Sequence, residues 1–200
     1  MKPRPFLTAL WLGILLISPL SIPPQISLAD SPPIIVKLNS LDEKAVTPLK
    51  SENGKPSVVI FITTDCPIAN ALAPEINRLY KHYQSQGIKF TLVHVDPELS
   101  ASDAKKHATE YSLQPAIVID RKHQLVKKSK AKVTPQTAIF NGMGNLVYTG
   151  RINNQWTDYG KRRVKATEHN LRDTLDALLA GKKIPKAQTN AVGCYIPELD

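Results

Sequence analysis

Ser57-Val58-Val59-Ile60-Phe61-Ile62 runs into Thr63-Thr64-Asp65-Cys66, and Pro67-Ile68-Ala69-Asn70-Ala71-Leu72-Ala73-Pro74 follows without a break. The first six residues are β-branched or aromatic after the serine, with no polar alternation, which predicts a strand buried on both faces. From Pro67 to about Gln86, Leu72, Ile76, Leu79, Tyr80 and Tyr83 recur at helical spacing. Pro67 suits the first helical position, Pro74 is expected to kink the interior, and Gly87 to stop the helix. Cys66 thus falls where a buried strand enters the first turn of a helix. The free N–H groups and the positive dipole end there stabilise a thiolate, lowering the cysteine pKa from its ordinary value of about 8.5. A thiolate is the form that attacks disulfides and peroxides. A buried structural cysteine is the alternative reading of the same position.

Working outward, Ile34 to Leu38 predicts a lead-in strand, Ile88 to Val95 a second strand, and Ser102 to Tyr111 a short helix capped by Ser100 or Ser102. Ala116 to Ile119 reads as a strand and Lys127 to Lys132 as a basic loop. Thr137 to Phe140 and Leu146 to Tyr148 read as strands joined at Asn141-Gly142-Met143-Gly144, a hairpin signal. Thr167 to Ala180 predicts a helix capped by Thr167, with Leu171, Leu175, Leu178 and Leu179 on one face and Gly181 ending it. Strands alternating with helices argue for a layered α/β sheet with a parallel core.

Composition fits a globular domain. The chain has 200 residues, 42% hydrophobic and 22% charged, with a net charge of +9. Its two cysteines exclude a disulfide-rich scaffold and a four-cysteine zinc site. Lys2 and Arg4 precede an apolar run from Phe6 to Leu20, and Ser27-Leu28-Ala29 offers small residues at a cleavage site. Residues 1–29 are therefore expected to be a secretory signal peptide, residues 30–181 the domain, and residues 182–200 a tail carrying Cys194. The apolar run is shorter than the roughly 20 residues of a membrane span, an uncleaved anchor being the alternative. Export to the periplasm or beyond puts both cysteines in an oxidising compartment, where thiols pair or work.

Cys66-Pro67-Ile68-Ala69 with Pro74 eight residues after the cysteine resembles the active-site helix of thioredoxins. Val133-Thr134-Pro135-Gln136 through Phe140, then Asn141-Gly142 and Leu146-Val147, resembles the cis-proline strand and hairpin of that fold. More narrowly, Asp65-Cys66-Pro67, Gly150-Arg151-Ile152 and Val192-Gly193-Cys194-Tyr195-Ile196 resemble exported redoxin-domain proteins of the peroxiredoxin-like AhpC/TSA group. The resemblance implies a thioredoxin-like three-layer α/β/α sandwich with a central mixed sheet. Two departures bear on activity. Thioredoxins have a second cysteine where Ala69 stands, so the vicinal disulfide of a dithiol reductase cannot form. Thr63-x-x-Cys66 matches the peroxiredoxin Thr-x-x-Cys, whose hydroxyl helps hold a peroxide, but the proline that precedes that threonine by four positions is Val59 here. The resemblance assigns Arg151 as a peroxide-orienting arginine; a solvated surface arginine is the alternative.

Two lone cysteines in an oxidising compartment most economically pair, and a tail turning at Gly193 and Pro197 can reach the helix start, so Cys194 reads as a resolving cysteine that captures oxidised Cys66; a permanent Cys66–Cys194 disulfide stapling the tail is the alternative. The resemblance also implies a cis Pro135 opposite Cys66, where a trans proline is the default, leaving the neighbouring backbone able to pair with an extended substrate chain and blocking metal ligation by the cysteine. The five histidines show no metal-ligand spacing and are expected mostly at the surface. His94 is the exception, since a Cys66–His94–Cys194 set would resemble the copper site of Sco-type chaperones. The basic stretches Lys127–Lys132 and Lys161–Lys165 carry no reader motif and no interleaved aromatics, so they read as solvated faces and nucleic acid is not expected as a partner. Two functions stand. One is an exported thiol oxidoreductase with Cys66, Cys194 and Thr63 catalytic and Thr134, Pro135 and Arg151 binding substrate. It would need no metal and no cofactor, would have thiol or disulfide proteins or small peroxides as partners, and would not associate stably with a membrane after cleavage. The other is a non-catalytic binding module of the same fold.

Overall fold

The computed structural model describes residues 35–50 and 54–199. The leader expected over residues 1–29 lies outside the described residues. In chain order the elements are β1 Leu38–Asn39, β2 Ala45–Val46, β3 Ser57–Ile62, α1 Pro67–Gln84, β4 Lys89–His94, α2 Ala101–Glu110, β5 Ala116–Ile119 and α3 Gln124–Ser129. Then come β6 Val133–Thr134, β7 Gln136–Phe140, β8 Leu146–Gly150, β9 Trp156–Asp158, β10 Lys161–Arg162, α4 Asn170–Leu179 and β11 Cys194–Tyr195.

The central sheet has five strands in the order β5-β4-β3-β7-β8. β3 runs parallel to β4, with Ile62 opposite His94, and antiparallel to β7, with Phe61 opposite Gln136. β4 and β5 are parallel, β7 and β8 antiparallel, so the sheet is mixed. Every residue of β3 is buried. Its unalternated sequence follows from its central place, because Val58, Ile60 and Ile62 feed the core on one face while Val59 and Phe61 feed the core on the other. α1 and α4 cover the first face through Ile76, Leu79, Tyr83, Leu171 and Leu175. The Tyr83 hydroxyl donates to Asp176 Oδ1 at 2.6 Å and locks these helices together. Leu125 and Val126 of α3 cover the second face. The three-layer α/β/α arrangement is as expected.

The differences are local. The lead-in strand shrinks to Leu38–Asn39, paired with β2 in a ribbon outside the central sheet. The start of the basic stretch is helical, not a loop. α3 begins at Gln124, and Lys127 and Lys128 form its last turn, where positive charge suits the dipole. The cap of this helix comes from outside it. The buried Asp120 carboxylate accepts the backbone N–H groups of Gln124, Leu125 and Val126 at 2.8, 2.7 and 3.1 Å. α4 starts at Asn170 rather than Thr167, because Thr167 is spent on Asn154, donating its N–H at 2.8 Å and accepting through its hydroxyl at 2.8 Å. Among the described residues no helix is long and apolar enough to cross a membrane.

The segment after α4 packs back onto the domain. Thr149 donates its N–H to the Ala187 carbonyl and accepts the Thr189 N–H at its own carbonyl, both at 3.1 Å. β11 then pairs antiparallel with β6. The Asp120 cap makes a stability prediction. Asp120→Ala leaves three N–H groups at a buried helix start without their acceptor and should lower unfolding free energy by about 2–4 kcal/mol. Urea denaturation of the two proteins measures it; a loss below about 0.5 kcal/mol would mean that water replaces the carboxylate.

Candidate active site

Cys66 is the N-cap of α1, extended at φ −77° and ψ 107°, with Pro67 in the first helical turn. β3, paired on both sides, fixes where the chain leaves the sheet, and the helix begins a short turn later. Asn70 pins that turn. Its N–H donates to the Cys66 carbonyl at 3.0 Å, and its amide donates to the Thr64 carbonyl at 3.0 Å. Its Oδ1 accepts from His107 Nε2 of α2 at 2.9 Å. Neither was a sequence candidate: Asn70 acts on backbone carbonyls of the turn, and His107 acts through Asn70.

The Cys66 side chain is 0% exposed, and its thiol donates to the Thr134 carbonyl oxygen at 2.8 Å. Thr134 ends β6, the Thr134–Pro135 peptide is cis, and both residues are buried. Half-buried Thr63 places its hydroxyl 3.5 Å from that of Thr134. Directly across the β6–β11 ladder from Thr134 lies Cys194. Gly193 permits this approach, since a Cβ there would press into the Thr134 carbonyl. Residues 66, 134 and 194, far apart in the chain, therefore converge on one peptide group. Both cysteines are free thiols.

Charge is divided unequally between the two sulfurs. Burial pushes the Cys66 pKa up, but hydrogen bonding from the Cys194 thiol, the Thr134 hydroxyl, the Ala69 N–H and the Cys194 N–H outweighs it and leaves the thiol below its ordinary value. The Thr134 carbonyl holds the protonated form and does not help the thiolate, so it is the contact that breaks when Cys66 ionises. Cys194 moves the other way, pushed up to about 12 by burial, by Cys66 and by the Asp65 carboxylate. The two shifts run in opposite directions and favour charge on Cys66 over charge on Cys194.

Of the other sequence candidates, Arg151 is not brought to this cluster. Its guanidinium is engaged by Asn170 Oδ1 at 2.7 Å and Glu168 at 2.9 Å. His94 is fully buried, and neither ring nitrogen has a hydrogen-bond partner among the described residues. It faces His107, with ring centroids 5.1 Å apart, and burial lowers its pKa to about 4. Among the described residues no three His, Cys, Asp or Glu side chains stand where they could hold a metal, so the copper set of Cys66, His94 and Cys194 is not assembled. The expectation of surface histidines also fails for His107 and His123, which are buried and spend a ring nitrogen on Asn70 and on the Val95 carbonyl. The structure adds Tyr159, which sits between β9 and β10 and lines with Cys194 a cleft of about 440 Å³. No sequence pattern marks an aromatic residue in a polar hairpin as belonging to a distant cysteine.

The sequence profile of the AhpC/TSA family matches residues 32–149. No curated protein matches the chain. Among solved structures, an uncharacterized conserved protein from Geobacillus kaustophilus is similar at 25% identity and a TM-score of 0.74, over 84% of this chain and 91% of that one. A hypothetical protein from Sinorhizobium meliloti follows at 23% identity and 0.67, over 83% and 92%. A Neisseria meningitidis protein provisionally called a thioredoxin gives 18% identity and 0.50, over 58% and 77%. The fold is thioredoxin-like.

Two outcomes test this geometry. Gly193→Ala adds a Cβ against the Thr134 carbonyl, a strain of about 1–3 kcal/mol that loosens β11 from β6. Alkylation of Cys66 by a maleimide should then quicken about tenfold or more; an unchanged rate would show that the tail does not cover the sulfur. His94 must stay neutral in the folded state and titrates near 6.5 when unfolded. Its contribution is complete above pH 6.5 and is lost as pH falls towards 4, about 3 kcal/mol in all. Urea unfolding between pH 7 and pH 4 reads this slope, which His94→Leu should flatten.

Proposed function

The chain belongs to the AhpC/TSA family, and on that premise we propose that it is a thiol–disulfide oxidoreductase in which Cys66 is the nucleophile and Cys194 the resolving thiol. The observation that carries this reading is the β6–β11 pairing, which sets Cys194 opposite the residue whose carbonyl holds the Cys66 thiol. The Cys66 thiolate attacks a partner disulfide, forms a mixed disulfide, and expels one partner sulfur as a thiolate. Cys194 then attacks the Cys66 sulfur, forming Cys66–Cys194 and releasing the second partner sulfur. The partner gains two electrons and the enzyme loses two. Run backwards, the cycle oxidises a dithiol partner. Export, expected from residues 1–29, would give the oxidised form a compartment in which to persist.

This division of labour rests on the unequal sulfurs. The lower-pKa Cys66 is the populated nucleophile and the better leaving group, while Cys194 stays protonated until needed. Thr134 and Pro135 would present backbone to a partner chain when β11 lifts away, because β11 occupies that edge in the closed state. A peroxide substrate is the second reading, favoured by the Thr63 hydroxyl beside that of Thr134; the engagement of Arg151 by Glu168 and Asn170 speaks against it.

Three measurements test the proposal. Cys66→Ser should abolish insulin-disulfide exchange and any hydrogen peroxide turnover, and activity surviving that change removes Cys66 as nucleophile. Cys194→Ser should accumulate mixed disulfides at Cys66, seen by intact mass, or over-oxidised Cys66 if peroxide is the substrate. The alkylation rate of Cys66 should rise with pH through a midpoint below the ordinary cysteine value, because a thiolate stabilised in the fold forms at lower pH. A midpoint at or above the ordinary value would mean that burial wins over the hydrogen bonds.

A further inference from the structure

Resolution by Cys194 needs its thiolate, yet the groups packed against that sulfur oppose one. Asp65 faces it from the turn before α1 and opposes charge there; Cys66 opposes it only as a free thiolate, a charge that the mixed disulfide removes. Asp158 lines the same cleft, with its carboxylate paired to Lys161 at 3.4 Å. Tyr159 shares that cleft with Cys194, and its hydroxyl acts on the sulfur in the opposite sense, favouring charge there. The hairpin that carries Tyr159 is built to hold it there. Trp156 of β9 packs against the main core, and Arg162 of β10 stacks over the Trp156 ring at 5.9 Å. The turn closes through Gly160 at φ 75°, and the Tyr159 N–H is held by Asp158 Oδ1 at 2.8 Å. Tyr159 itself is 63% exposed and has no core role. A large aromatic at a hairpin tip gains nothing from packing that would explain it. Its ring and Cys194 line one cleft, together with Val133, Val192 and Tyr195.

We propose that Tyr159 is a positioning residue for Cys194, its hydroxyl donating a hydrogen bond that orients the sulfur and steadies the thiolate that resolves the Cys66 mixed disulfide. The inference rests on the proposed role of Cys194 as resolver. In the step itself, the Cys194 thiol gives its proton to water, while the Tyr159 hydroxyl keeps its own proton and shares it in the hydrogen bond. The Cys194–Cys66 sulfur bond forms as the bond from Cys66 to the partner sulfur breaks, and that electron pair leaves with the partner as a thiolate. The mixed disulfide is the oxidant, so no other is required. Tyr159 forms no bond to the partner and carries no electrons.

The test isolates Cys194. In a Cys66→Ser background, the iodoacetamide alkylation rate of Cys194 is measured against pH with and without Tyr159→Phe. Losing one hydrogen bond to a charged sulfur should slow alkylation at neutral pH about three- to tenfold and move the profile to higher pH. A merely structural loss would not move the profile in that direction. In the otherwise native chain, Tyr159→Phe should slow conversion of the glutathione-loaded Cys66 adduct to the Cys66–Cys194 disulfide by a similar factor. Superimposable Cys194 profiles with and without the hydroxyl overturn the role of Tyr159. A shifted profile with resolution at the parent rate overturns its part in the step. Resolution that survives Cys194→Ser instead overturns the reading of Cys194 on which the inference rests, a failure that the alkylation profile alone would not produce.

Discussion

The hydrogen bond from the Cys66 thiol to the Thr134 carbonyl joins the start of the first helix to the end of β6. Each partner is fixed by independent packing. Cys66 follows the fully buried central strand, and Thr134 precedes a buried cis proline that opens the antiparallel half of the sheet. The same Thr134 residue sits across the ladder from Cys194. The Cys66 sulfur, the backbone edge beside it and Cys194 are thus arranged around one peptide. The tail cannot reach this place by flexibility alone. It is led there by the backbone bonds of Thr149 to Ala187 and Thr189 and by Gly193, whose missing Cβ lets the chains close.

The electrostatics follow from that arrangement. Two sulfurs this close cannot both ionise cheaply, so a donor set that favours charge on one must disfavour it on the other. The backbone N–H groups at the helix start and the Thr134 hydroxyl select Cys66, while Asp65 adds to the cost of charge on Cys194. The net charge of +9 plays no visible part in this selection. Lys161 and Arg162 are exposed and contact Asp158 and Trp156 within their own hairpin.

Much of this was legible in the sequence because it depends on short-range rules. An unalternated apolar run, a proline after a cysteine and an i, i+3, i+4 stripe suffice to place Cys66 at a helix start. What was not legible depends on pairing at long range. Nothing in Gly193-Cys194-Tyr195 announces antiparallel pairing with Val133-Thr134, since two-residue strands carry no periodicity. Arg151 was a candidate because Gly150-Arg151-Ile152 resembles a redoxin segment, and only the folded chain brings Glu168 and Asn170 to it. His94 looked like a ligand because it ends a strand near Cys66. Strand alternation instead sends it into the core against His107. The α3 helix was hidden because its cap, Asp120, stands outside the apolar pattern used to find helices.

The central claim is that Cys66 and Cys194 are a reversible redox pair held in place by the β6–β11 pairing. The most direct measurement is the equilibrium reduction potential of the native full-length chain in glutathione buffers, with the linked peptides identified by mass spectrometry. The account predicts one intramolecular Cys66–Cys194 disulfide that opens and closes without unfolding, at a potential above about −300 mV, where exchange-active rather than structural disulfides lie. A chain that stays fully reduced across the series, or a bond that yields only after denaturation, would contradict it.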